Sequence, residues 1–373
     1  MRAFVPLLAL GAIASACDEP GSGSNGLADT DGFVADVIDS SGSDGTDPSD
    51  TTVDTTPDGL GADTVDALDT VDTAQPDTAE GPPPILREGC IDGDYDEALP
   101  DDRGDIAALV AGYDPASYHD FVDAVLGVRY PHGQLIVRGA TAPGASFDCV
   151  EAFTSQRSRA QTLMTELSTV VHECGHMYDL DRGSFSGDFY LVAPDVTFSC
   201  SRGDAQGRGG DTFARSRMNG DAFASAIPGD FYREVYRDGD PDDGTFDSGD
   251  QGFNSVLEEA PQYINSLATD WVFRDSLGGF GISARDGILT FLWYIERYLH
   301  MARNEFPTAY QRLSTDPCWR EAILTVWGRA WFYLEVTDGL SQLGIDDATI
   351  EAQVTRADLL SEIERLRDLQ GCR

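Results

Sequence analysis

The chain has 373 residues, with 25 basic side chains, all of them arginine, against 65 acidic ones, a formal net charge of −40. That balance argues against binding nucleic acid, where affinity comes mainly from neutralising phosphates, and against docking on an anionic bilayer through a polybasic patch. Apolar residues make up 41% and aromatic residues 10%, enough for a real core, so a wholly disordered chain is excluded.

Met1-Arg2 followed by the apolar run Ala3–Ala14 and Ser15-Ala16-Cys17 reads as an export signal over residues 1–16. It has a basic start, an apolar stretch too short to span a bilayer, and small residues before the cut. Ala14-Ser15-Ala16 fits an ordinary signal-peptidase site. Small residues directly before Cys17 also resemble the bacterial lipobox, with Ala14 standing where that motif usually has Leu. The resemblance implies that Cys17 becomes a lipid-modified N-terminus. The chain would then meet a membrane only through that anchor, in the bacterial cell envelope, the alternative being release outside the cell.

Residues 18–84 carry 17 acidic groups and no basic ones, in runs such as Asp69-Thr70-Val71-Asp72-Thr73. Such a stretch cannot bury enough apolar surface to offset its ordering entropy, and like charges extend it. Residues 17–84 therefore read as an acidic tether, and 85–373 as one helix-rich domain of about 285 residues. That domain is still acidic, with 48 acidic against 24 basic side chains. With Cys17 assigned to the anchor, Cys90, Cys149, Cys174, Cys200, Cys318 and Cys372 remain. An even set in an exported chain reads as three disulfides, and 15 pairings are open. There is no CxxC pair that would suggest a cysteine zinc cluster.

From residue 85 onward the periodicity is mainly helical, giving a mainly α (α+β) domain with a small sheet near its start. Pro115–Val128 reads as a helix, Gln134–Arg138 as a short strand, Arg159–Leu180 as a helix and Phe189–Phe198 as extended. Ser201–Gly220 and Asp238–Gly252 are loop-rich. Phe253–Phe273, Arg285–Glu305, Pro317–Val336 and Ala348–Leu369 read as long helices whose aromatics (Trp293, Tyr294, Trp327, Trp331, Phe332) belong to the core. Asp92-Gly93-Asp94-Tyr95-Asp96 and Asp238–Gly244 look superficially like calcium loops, but the second places its Gly seventh rather than sixth. His300 reads as a core histidine, while His119 and His132 have no partner spacing. No Gly-rich phosphate loop or Gly-x-Ser-x-Gly elbow stands out.

One motif carries chemistry. His172-Glu173-Cys174-Gly175-His176 is an H-E-x-x-H sequence set directly into the apolar periodicity of a helix. Histidines at i and i+4 share one helix face, so their imidazoles converge on one metal, for which Zn²⁺ is suited. Glu173 is placed to take a proton from a water on that metal. Cys174 lies about 200° round the helix from His172 and points elsewhere, as a core or disulfide residue. With this composition, chance would produce roughly 0.003 such motifs in the chain.

Through residues 172–176 the chain resembles the zincin metallopeptidases. That resemblance implies a zinc-dependent hydrolase acting on a peptide or protein substrate, with His172 and His176 as ligands and Glu173 as general base. The long metzincin pattern would need Gly where Asp179 stands and a metal ligand where Arg182 stands, and Arg cannot bind zinc, so that branch is rejected. An aspartate-ligand branch would draw on Asp179, Asp181 or Asp188. The gluzincin branch takes a Glu from a later helix, and Asn254–Tyr263 is similar to the start of one. Phase at 100° per residue puts Glu259 on the flank of the buried face and Glu258 nearly opposite it, so Glu259 is the expected third ligand and Glu258 the second choice. The thermolysin-type Asn-Glu-x-x-Ser-Asp run is absent. Tyr263, one turn after Glu259, is placed to help polarise a scissile carbonyl. The competing expectation is a non-catalytic surface binding or scaffolding lipoprotein with a structural or relict zinc site.

Overall fold

Apolar residues recur every three to four positions through most of the chain, and the elements follow. A computed structural model describes residues 83–145, 147–183, 190–200, 232, 252–278 and 282–372. In chain order these form α1 (Ala107–Ala111), α2 (Tyr118–Arg129), α3 (Pro131–Ala140), α4 (Cys149–Ala152), α5 (Ala160–Met164) and α6 (Leu167–Arg182). Strands β1 (Tyr190–Ala193) and β2 (Val196–Phe198) follow, then α7 (Phe253–Val272), α8 (Ala284–Glu305), α9 (Pro307–Thr315), α10 (Pro317–Val336), α11 (Asp347–Val354) and α12 (Ala357–Gln370). Helix α7 is the pivot: it packs on α6, α8 and α10, while α6 also rests on α3, and α8 on α9, α11 and α12. The mainly helical expectation holds among the described residues. Cys17, Asp188 and the acidic loop at 238–244 lie outside them.

Several expectations need correction. The small sheet is not near the start of the domain; it is an antiparallel hairpin after α6, pairing Tyr190 with Phe198 and Leu191 with Thr197. Gln134–Arg138 is helix, not strand. Pro131 opens α3 at its first turn, where a fixed φ suits a helix start, and His132, Gly133, Ile136, Val137 and Ala140 form its buried face. The β-branched pair at 136–137 mimicked a strand, but its spacing from 133 and 140 is helical. Arg159–Leu180 is two helices, because the chain turns at Thr165-Glu166. There the Glu166 carboxylate accepts the backbone N–H groups of Ser155 and Gln156. Ala348–Leu369 likewise breaks between α11 and α12. His300 is not fully buried: its side chain is 39% exposed and its Nδ1 lies 3.1 Å from Glu362.

The late aromatics are core as expected, with Trp293, Tyr294 and Trp327 at most 1% exposed. Threaded through this core are buried arginines whose planar forks bind several acceptors at once, which a point-charge ammonium does less well. Arg329 pairs with Glu97 and also donates to the Val192 carbonyl and the Tyr130 hydroxyl. Arg367 pairs with Asp92 and caps the Pro84 and Ile85 carbonyls, which gives Asp92 a structural partner. The six described cysteines close as Cys90–Cys372, Cys149–Cys174 and Cys200–Cys318. Such bonds are compatible with an exported protein.

Glu296, on α8, is fully buried, and neither carboxylate oxygen has a hydrogen-bond partner. Burial, reinforced by Asp358 and Glu362, pushes its pKa well above the usual carboxylate range. The folded chain therefore keeps this proton at pH values where the unfolded chain has released it. Stability falls as pH climbs from the unfolded pKa towards the raised folded one. Glu296→Met should thus stabilise the protein by about 1–3 kcal/mol at pH 8 and by much less at pH 4, read from urea midpoints. An equal gain at both pH values would mean that the ionised carboxylate is not the cause.

Candidate metal centre

The site forms where α6 crosses α7. Along α6, Leu167, Val170, Val171 and Cys174 face the core, and His172 and His176 stand one turn apart towards α7. Cys174 points away, as its bond to Cys149 shows. Gly175 leaves room at the crossing for the Gln262 side chain of α7, since a Cβ there would come 1.8 Å from the Gln262 Oε1.

Glu259 meets both histidines. Its Oε2 lies 3.4 Å from His172 Nε2 and 3.3 Å from His176 Nε2, and the three ligand atoms all lie within 4.8 Å of one another. For a tetrahedral ion with bonds of about 2.05 Å, neighbouring ligand atoms stand about 3.3 Å apart. Two edges of such a tetrahedron are therefore in place, and His172, His176 and Glu259 can hold a metal ion. His176 Nε2 is buried without a hydrogen bond, as expected of a nitrogen whose partner would be a cation. Among the candidates that are described, Glu259 is the one whose oxygen meets both histidines, while Glu258 meets the Nδ1 side of His176 alone. Asp179 accepts the Leu191 N–H and the Gln262 amide instead, and Asp181 lies outside the group.

Electrostatics favour positive charge here. Burial would lower the His176 pKa, but Glu258 and Glu259 outweigh it and raise the value well above the usual imidazole range. Burial would raise the Glu259 pKa, yet the two imidazoles hold it below the usual carboxylate range. The carboxylates that favour a proton on His176 would favour a metal cation at the same place. Glu173 is 4% exposed, its Oε2 makes no hydrogen bond, and burial raises its pKa despite the nearby histidines.

Both imidazoles are held from behind. His172 Nδ1 lies 3.1 Å from Ser266 Oγ, and His176 Nδ1 lies 2.9 and 2.7 Å from the two Glu258 oxygens. Glu258, expected nearly opposite the buried face, is 23% exposed and reaches back over the edge of α7. Phase misplaced it because a glutamate is long enough to turn towards a neighbouring helix. Ser266, Gln262 and Asn265 were not picked out from the sequence. The spacing offered a signal, since Ser266 is two turns after Glu259 and Gln262 one turn after Glu258. The Tyr263 ring sits edge-on to His172 with centroids 4.7 Å apart and stacks on Phe291.

Comparison with protein-family models, curated proteins and solved structures finds no match to this chain.

Proposed function

We propose that the chain is an exported zinc metallopeptidase of gluzincin type, carried on an acidic tether and anchored to the bacterial envelope through a lipid on Cys17. The carrying observation is that Glu259 Oε2 stands at tetrahedral-edge distance from both His172 Nε2 and His176 Nε2, beside a buried Glu173 oxygen that makes no hydrogen bond. The His₂Glu set is chemically suited to zinc, a metal that when bound acidifies a water and polarises a carbonyl. The Glu258 carboxylate can only accept from His176 Nδ1, which leaves the His176 Nε2 lone pair for a metal, while Ser266 holds the His172 ring by its Nδ1. Glu173 takes the proton of the attacking water and returns it to the departing amine, a role that its raised pKa supports. The substrate is a peptide or protein, and the acidic surface disfavours nucleic acid. No described helix is long and apolar enough to cross a membrane, so the lipid is the proposed membrane contact.

The test uses the full chain and fluorescein-labelled casein. About one zinc should copurify per chain, a strong chelator should remove both metal and hydrolysis, and added zinc should restore both. Hydrolysis that persists at the parent rate after the metal is gone would overturn the reading. A metal-containing protein with no cleavage before or after would favour the binding-domain alternative.

A further inference from the structure

Two consecutive glutamates on α7 straddle one histidine. Glu259 approaches the Nε2 side of His176, and Glu258 holds the Nδ1 side with both oxygens within hydrogen-bond distance. From this juxtaposition, and resting on the zinc reading above, we infer that Glu258 is a positioning residue, which sets metal affinity through His176 without touching the metal. A carboxylate on Nδ1 fixes the tautomer in which that nitrogen carries the proton and Nε2 keeps its lone pair. It also makes Nε2 a stronger donor by drawing the Nδ1 proton towards itself. Among the described residues, His172 Nδ1 meets the Ser266 hydroxyl rather than a carboxylate, so the two histidines are supported unequally.

Glu258 is itself held. The Gln262 amide, one turn along α7, lies 3.4 Å from Glu258 Oε1 and from Asp179 Oδ2, and its Oε1 accepts from Asn265. Asn265 in turn accepts from the buried Tyr130 hydroxyl, to which Arg329 donates. The support behind His176 is therefore continuous with the packing of α10, and Gly175 supplies the room for Gln262. Long hydrogen bonds at the Gln262 amide make its own contribution smaller than that of Glu258.

Zinc affinity of the full chain, measured by competition with a chromophoric chelator at pH 7.5, tests this without reference to hydrolysis. Glu258→Ala should weaken zinc binding by roughly 10–100-fold, and Gln262→Ala by less than ~10-fold. Glu258→Gln keeps an acceptor for Nδ1 but loses the charge, so its affinity should fall between the parent and Glu258→Ala. Glu259→Ala should weaken binding more than any of these. With Co²⁺ as probe, Glu258→Ala should retain the parent visible spectrum, because the ligands are unchanged, whereas Glu259→Ala should alter it. If Glu258→Ala does not fold by near-ultraviolet circular dichroism, the isosteric Gln variant carries the comparison. Parent-like affinity in both Glu258 variants would overturn the inference, and so would a cobalt spectrum altered by Glu258→Ala as it is by Glu259→Ala. An absence of casein cleavage would count against the peptidase reading alone and leave these affinities to be judged separately.

Discussion

Replacing Glu173 by Gln should leave zinc content at the parent level and lower casein hydrolysis by roughly 10²–10⁴-fold. The substitution preserves volume and one acceptor oxygen, so α6 and the two histidines keep their packing. What it removes is the capacity to accept a proton. Glu173 Oε2 makes no hydrogen bond, so that oxygen loses no partner when the carboxylate becomes an amide. The raised pKa has a cost in the parent, since a buried carboxylate is harder to ionise. Glu173→Gln should relieve that cost and be slightly more stable in thermal melts of the metal-loaded forms. Joint loss of zinc and activity would instead make Glu173 a support of the metal site. Hydrolysis at the parent rate would remove it from the chemistry altogether.

The metal-binding half of the site was readable because it is local. Histidines four apart on a helix must share a face, so His172, Glu173 and His176 need only α6 to form. Glu259 was reachable by phase, because the apolar residues of α7 show which side meets the core. What sequence could not show is how two helices cross. That crossing turns Glu258 from an apparently outward residue into a partner of His176, and it places Gln262 in the space that Gly175 leaves free. The disulfide pairing, too, was open until the fold brought the cysteines together. Helix breaks were the least legible feature: at Thr165-Glu166 the apolar rhythm continues while the backbone turns, and the reason is a carboxylate bonding to a loop ten residues earlier. The strand expected at 134–138 failed similarly, since five residues are too few to distinguish a period of 2 from 3.6 when β-branched residues are present.

Removing the Cys149–Cys174 bond should cost about 3.5 kcal/mol of stability, because it frees a 25-residue separation in the unfolded chain. The bond is more than a general staple. Cys174 lies between Glu173 and Gly175, so the tie from α4 is attached inside the motif, on the face of α6 turned away from the histidines. Both cysteines are fully buried, so the folded protein shields the bond from reductant. If the bond acts mainly on the unfolded state, the Cys149→Ala, Cys174→Ala double variant should lose its stability while its folded form binds zinc within ~3-fold of the parent. Helix α6 also packs on α3 and α7, contacts that the bond to α4 does not supply. Urea unfolding of the metal-free forms gives the first quantity, and chelator competition on the folded variant gives the second. A small stability loss with a large fall in zinc affinity would reverse the assignment: the disulfide would then be fixing the rotation of α6 and the aim of its two histidines.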